Sequence, residues 1–172
     1  MTSFGINTLI ILNSPPDDNK IVLVERSKFL DNMEEQDKWH VSVNEALTFT
    51  DMQDDNIILE LCVERGLNEE LGIKNYRNIV TCNRYGDLFL LSDLFQVGIT
   101  NLVRLNLNYC ELELFYSGAK DSSLESVKMQ TIDFNKKTIK KFIENNVITA
   151  TCGYSLKMLL SRGKENIPSD GG

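Results

Sequence analysis

Leu59, Val63, Leu67 and Leu71 recur at every fourth position, with Cys62 beside them. That spacing draws one apolar stripe along one side of a helix. A helix with such a stripe must lay it against a second layer, so the chain has to build one. Gly72 follows directly. Glycine enters the left-handed region at little cost and stops a helix there, with Ile73 placed for an apolar contact just beyond. The pattern predicts a helix over residues 57–71.

The second layer reads as strands. Residues 6–12 form a short apolar run that ends in Asn13-Ser14-Pro15-Pro16-Asp17-Asp18-Asn19, where two prolines cannot continue a ladder. Residues 21–24 are β-branched and continuous, as in a strand covered on both faces. Together they predict a hairpin-like opening. Residues 28–38 read as an exposed loop or helical turn. Residues 39–56 are a polar stretch with a small apolar set at Trp39, Val41, Val43, Leu47 and Phe49. Three further β-rich runs cover 88–95, 102–107 and 109–116; in the last, Cys110, Leu112, Leu114 and Tyr116 alternate with Glu111 and Glu113. A strand is expected over 127–134. Asn135 suits the N-cap of a helix over 136–145, and a short helix is expected over 155–160. The order of strands and helices predicts an α+β or layered α/β domain, single over residues 1–161, with a flexible polar tail at 162–172.

Charge narrows the function classes. With 18 basic and 25 acidic side chains the net charge is −7, which argues against general nucleic-acid binding, because that depends on clustered Lys and Arg neutralising phosphates. Lys136, Lys137, Lys140 and Lys141 form the one basic cluster and read as a solvated helix face. Cys62, Cys82, Cys110 and Cys152 contain no C-x-x-C pair, and a lone histidine, His40, is too little for the usual zinc patterns. Neither a long apolar run nor a signal-peptide pattern is present, so the expectation is a cytoplasmic protein with free, mostly buried thiols and no membrane attachment. His40, beside Trp39, reads as structural.

The stretch from Glu64 to Ile73 carries the candidate chemistry. On a helix, Glu69 and Glu70 leave the axis about 100° apart and can flank a groove. Arg65 precedes Glu69 by one helical turn, so the two can pair. Carboxylates facing a polar pocket suit Mg²⁺, a hard cation that takes oxygen ligands, waters and substrate phosphates, and such an ion can activate a water. The other reading is a solvated helix end. Two acids there oppose the helix dipole.

Arg65-Gly66-Leu67-Asn68-Glu69-Glu70-Leu71-Gly72-Ile73 resembles the second half of the Nudix box, R-E-U-x-E-E-x-G-U with U apolar, and every position but Gly66 is compatible. The order of two strands, a tryptophan, a loop, the helix, antiparallel strands and a C-terminal helix is similar to the Nudix arrangement over roughly residues 5 to 160. The resemblance implies an α+β Nudix-like fold with a mixed β-sheet layered between helices. The first half of the box departs from the family: Asp51 and Ile57 stand where it has Gly and Glu. Trp39 to Glu45 is similar to the family's tryptophan-to-Pro-Gly-Gly approach, with the glycines replaced and residues inserted before the helix.

The resemblance implies a Mg²⁺- or Mn²⁺-dependent pyrophosphohydrolase acting on a nucleoside diphosphate derivative. Glu69 and Glu70 would be metal ligands and Arg65 would hold the helix–loop geometry. Gly66 lacks the family's acid, and no helical neighbour on its face replaces it; Glu45 and Glu125 are the candidate stand-ins. Trp39, Tyr85, Phe89 and Phe95 are candidates for stacking a base, and Arg26, Arg84 and Arg104 for phosphate contact. The alternative is a catalytically impaired Nudix-fold module that binds a nucleotide or a protein partner, in which restoring an acid at 66 would recover metal affinity.

Overall fold

The computed structural model describes residues 4–27, 36–91, 96–119 and 126–161, the side chains of 126 and 127 excepted. Strand β1 (Phe4–Leu12) lies inside a seven-stranded mixed sheet. One of its edges pairs in parallel with β8 (Gln96–Leu105) over the whole length of β1, from Phe4↔Val97 to Leu12↔Leu105. Its other edge is shared: β2 (Lys20–Arg26) takes Ile10 to Leu12 and β4 (Val43–Ala46) takes Gly5 to Thr8, both antiparallel. Beyond β8 lies β7 (Val80–Leu91), and β2 also carries β9 (Ser126–Asp133) and the short β3 (Trp39–His40). Residues 6 to 12 of β1 are all buried, the polar Asn7 and Thr8 among them.

Each face of the sheet has its own core. Helix α1 (Leu59–Leu71) sets Cys62, Val63, Leu67 and Leu71 against Ile6, Ile10, Val43 and Val103. Each such fully buried aliphatic side chain contributes about 2 kcal/mol relative to exposure. On the other face α4 (Lys136–Asn145) and α5 (Ala150–Ser161) bring Ile139, Phe142, Cys152, Leu156 and Leu159 against Leu9, Ile11, Ile21 and Leu23. A single turn, α2 (Tyr76–Ile79), leads into β7. Before α1, a 3₁₀ turn at Phe49–Asp51 precedes a small hairpin of β5 (Met52–Gln53) and β6 (Asn56–Ile57), turning through Asp54 and Asp55 at φ 50° and 61°. Among the described residues no helix is long and apolar enough to cross a membrane.

The expected helix ends where the sequence placed it, with Gly72 at φ 72° and its N–H donating to Asn68 O. Asn135 caps α4 by accepting from Thr138 N, and Lys136, Lys137, Lys140 and Lys141 are exposed. The run 109–116 departs from expectation: it is helix α3 (Tyr109–Ser117), not a strand. Asn108 and Glu111 cap each other's backbone N–H groups, at 2.9 and 3.0 Å. That capping box fixes a helical start and overrides the alternation. Only Leu112 of the alternating set is buried, while Cys110 and Leu114 are exposed. Strand β7 starts well before the run 88–95, of which 92–95 lie outside the described residues; β8 starts before the run 102–107 and ends at Leu105, and α5 starts before residue 155.

His40 is fully buried, with Nδ1 at 2.5 Å from Thr149 Oγ1 and 3.2 Å from Thr151 Oγ1, and Nε2 without a partner among the described residues. Burial, reinforced by the nearby Arg26 charge, holds its pKa well below the ordinary value. The unfolded chain therefore binds a proton that the native state refuses, and stability falls as pH drops below the unfolded histidine pKa of about 6.5. Between pH 7.5 and 5.5 a loss of about 1 kcal/mol is expected from this group in urea titrations. In His40→Asn the loss over that interval should largely vanish; an unchanged slope would assign it elsewhere.

Candidate functional site

Arg65 leaves α1 toward the segment that precedes the helix, and that segment is folded to receive it. Thr48 opens the 3₁₀ turn, and Asp51 Oδ2 accepts from Thr48 N at 2.8 Å and from Thr48 Oγ1 at 3.1 Å. This turns a carboxylate that is only 1 % exposed toward the helix. Arg65 Nε donates to Asp51 Oδ1 at 3.2 Å and Nη2 to Oδ2 at 2.9 Å, the forked geometry of a strong ion pair. Nη2 also donates to Ala46 O at 2.8 Å, and Nη1 donates to Glu45 Oε2 at 2.5 Å. Glu69 Oε2 lies 3.5 Å from the same Nη1. One guanidinium thus joins three carboxylates from β4, the 3₁₀ turn and α1.

Electrostatics follow from this packing. Burial works to raise the Asp51 carboxyl, but hydrogen bonds from Arg65 and Thr48 and the Arg65 charge outweigh it and hold its pKa below the ordinary value. The hydrogen bonds to Asp51, opposed by burial and joined by the Glu45 charge, make Arg65 harder still to deprotonate. Burial and the Asp51 charge push the neighbouring Cys62 thiol up to about 12, so it stays protonated and is no nucleophile at neutral pH.

Glu70 turns away from this cluster. It is 9 % exposed, and its Oε1 accepts the Asn44 backbone N–H at 3.0 Å, tying the end of α1 to β4. Gly66 is explained by Glu45: a Cβ at 66 would run into Glu45 Cγ and lie 2.7 Å from Val43 Cγ1. The space that an acid at 66 would need is filled by the side chain of another acid, so restoring one there meets a clash.

The structure therefore brings Arg65, Glu45 and Glu69 together, sets Glu70 beside them on a backbone amide, and adds Asp51. In the sequence Asp51 stands only as a mismatch to the box. Its signal was local, in the pattern Thr48-x-x-Asp51, which predicts a capping box. Glu125 and Phe95 lie outside the described residues. Trp39 packs edge-on against Phe142 at 5.9 Å and Phe89 lies 4.7 Å from Tyr154, so both rings have core partners. Tyr85 is half-buried against the α1-side core. Arg104 donates to Asn19 Oδ1 at 2.9 Å and covers Phe134. Arg84 is exposed on β7, and Arg26 closes β2 near His40.

A divalent cation needs several carboxylate or carbonyl oxygens converging on one point, at about 2.0–2.1 Å for Mg²⁺. Here Glu45 and Glu69 converge on Arg65 Nη1, and Glu70 is engaged with β4. Among the described residues no group of three or more His, Cys, Asp or Glu is placed to hold a metal ion. As arranged, these residues do not fit the cation that the box resemblance implies.

A cavity opens on the other side of the sheet, bordered by Gly5, Asn7, Asn44, Phe89, Gln96 and Gly98. Asn44 belongs to both places, its N–H on Glu70 and its residue at the cavity wall.

No family profile matches the chain, and no curated protein matches it. Solved structures do. A protein of Deinococcus radiodurans superposes with a TM-score of 0.60 at 9 % identity, over 90 % of this chain and 81 % of that one. A MutT Nudix hydrolase from Burkholderia pseudomallei gives 0.52 at 13 % identity, over 92 % and 98 % of the two chains. A MutT protein from Methanosarcina mazei gives 0.50 at 14 % identity, over 95 % and 98 %. The likeness is one of fold: the chain has an α+β fold of the Nudix type, a mixed sheet between two helical layers.

Proposed function

We propose that this chain is a Nudix-fold module that binds a nucleoside diphosphate derivative, with metal-assisted hydrolysis impaired. The observation that carries the reading is the Arg65 cluster: an internal cation stands between Glu45 and Glu69, and Glu45 fills the room over Gly66. A side chain already balanced by a guanidinium has little to gain from a metal ion, since the ion would have to displace a hydrogen-bonded cation first. The likeness to Nudix-type folds and the polar cavity beside β4 support a nucleotide-type ligand.

A second reading, Mg²⁺-dependent pyrophosphohydrolysis, is favoured by one observation. The Glu45 carboxylate comes from the neighbouring strand to the side of α1 where the family has its acid at 66. In that reading Glu45, Glu69 and Glu70 form the working carboxylate set.

One experiment separates the two. The purified chain is incubated with nucleoside triphosphates, nucleotide sugars and dinucleotides, with Mg²⁺ and with a chelator, while binding is followed by calorimetry and products by mass. The expected outcome is binding that survives the chelator, with no product formed. Product that requires Mg²⁺ and vanishes in the Glu69→Gln/Glu70→Gln double variant would instead establish the hydrolase.

A further inference from the structure

The segment between β4 and α1 displays apolar side chains outward. Phe49 is 92 % exposed, Met52 and Ile57 are exposed too, and with Leu47 and Thr48 they line one open groove. Leu47 anchors it by packing against the α1-side core. Apolar residues scattered singly on a surface are ordinary, but several gathered in one groove mark a contact site. The nucleotide-binding reading gives these residues no task.

The walls of the groove are held in place. Asp51, between Phe49 and Met52, is clamped by Arg65 and accepts the Thr48 N–H. Its carbonyl accepts the Ile58 N–H at 2.8 Å, Met52 pairs with Ile57 across the hairpin, and Asn56 Nδ2 donates to Asp54 O at 2.8 Å. A partner therefore meets a surface already ordered, which lowers the entropy cost of association.

Charge selects the partner. From Trp39 to Glu64 the sequence holds no lysine or arginine. Arg65 takes up Glu45 and Asp51, and Arg77 lies 3.5 Å from Glu64. Asp54 and Asp55 at the hairpin tip and Glu60 in the first turn of α1 are exposed, with no ion pair among the described residues. An apolar groove in such a negative field repels nucleic-acid phosphates and anionic lipid headgroups, and draws cationic side chains.

We propose that the groove of Leu47, Phe49, Met52 and Ile57 docks a protein partner through a segment in which an apolar side chain is flanked by lysine or arginine. Phe49 and Met52 supply the apolar contact, aromatic and methionine side chains being favoured at such surfaces. Asp54 and Asp55 meet the flanking cations. The inference stands apart from the nucleotide-binding reading, and either can fail alone.

The probe is a short fluorescent peptide of leucine and lysine at amphipathic helical spacing, titrated into the full chain and followed by anisotropy. A glutamate-for-lysine copy and a serine-for-leucine copy serve as controls. The leucine–lysine peptide is expected to bind at least about tenfold more tightly than either control. Phe49→Ser should weaken it by at least about tenfold at unchanged melting temperature, since the ring is almost wholly exposed. Asp54→Asn/Asp55→Asn should weaken it about fivefold and flatten its salt dependence. Asparagine accepts the positive φ of both positions, so the hairpin is kept. Glu113→Gln/Glu144→Gln, which removes the same charge from exposed positions on α3 and α4, should bind as the parent does. Equal losses in the two charge variants would reduce the effect to the net charge of −7 and overturn the proposal. So would failure of the leucine–lysine peptide to bind, or binding that Phe49→Ser leaves unaltered. A dimer of the chain that Phe49→Ser dissolves in sedimentation, or Phe49-dependent adhesion to phosphatidylserine vesicles, would overturn it in favour of another occupant.

Discussion

Arg65→Met is expected to cost about 3 kcal/mol of folding stability at pH 7, read as a lowered urea midpoint, because it strands a buried carboxylate. Asp51 is 1 % exposed and takes two hydrogen bonds from the guanidinium, while Glu45 takes a third. The figure sits at the low end for a broken buried pair, since the Arg65 side chain retains 21 % exposure. The pH dependence has a definite sign. In the parent chain Arg65 keeps the Asp51 pKa below its ordinary value, so this contribution is present at neutral pH and is lost as pH falls through the carboxylate range. In the variant the lone buried carboxyl has a raised pKa, and the deficit shrinks as acid neutralises it. Arg65→Met/Asp51→Asn should therefore be more stable at pH 7 than Arg65→Met alone. A single variant within about 0.5 kcal/mol of the parent would mean that the cluster adds nothing measurable.

Gly66→Glu, the substitution that rebuilds the box consensus, is expected to destabilise the chain by about 2 kcal/mol and not to create a metal site. Exchanging a mid-helix glycine favours the helix by up to about 1 kcal/mol. Against this, the new Cβ meets Glu45 Cγ and comes within 2.7 Å of Val43 Cγ1, and the added charge enters a cluster already rich in carboxylates. Glu45→Ala in the same chain should restore most of the loss, because it empties the contested space. Differential scanning calorimetry of the parent, the two single variants and the double variant closes the cycle. Additive single effects would show that Gly66 and Glu45 are not a matched pair.

The contrast between these two sites and the rest of the chain shows what a sequence discloses. Helix α1 was legible because its stripe, its glycine stop and its partner layer agree with one another. The run 109–116 misleads because its apolar alternation competes with the short polar pattern Asn108-x-x-Glu111, and caps act through two hydrogen bonds that periodicity does not see. The site was half legible. Arg65, Glu69 and Glu70 stand in one helical stretch, whereas Asp51 joins them from 14 residues away in the chain and Asn44 from 26. Gly66 could be seen to be anomalous from the sequence. Its reason, another residue's side chain lying across it, exists only in three dimensions.

The long parallel ladder between β1 and β8 carries a consequence for how the protein comes into being. Parallel strands cannot close by a hairpin, and this ladder joins Phe4 to Val97 and Leu12 to Leu105. Everything from β2 to β7 must be made before β1 acquires its full-length neighbour. Until then β1 can find β2 and β4, which cover only its other edge in two short segments. Separations of this kind slow folding, because the entropy of the intervening chain is surrendered before the ladder forms. During synthesis, then, a long strand that is predominantly apolar waits with one edge bare, and the emerging chain is most exposed to self-association in the interval before β8 arrives.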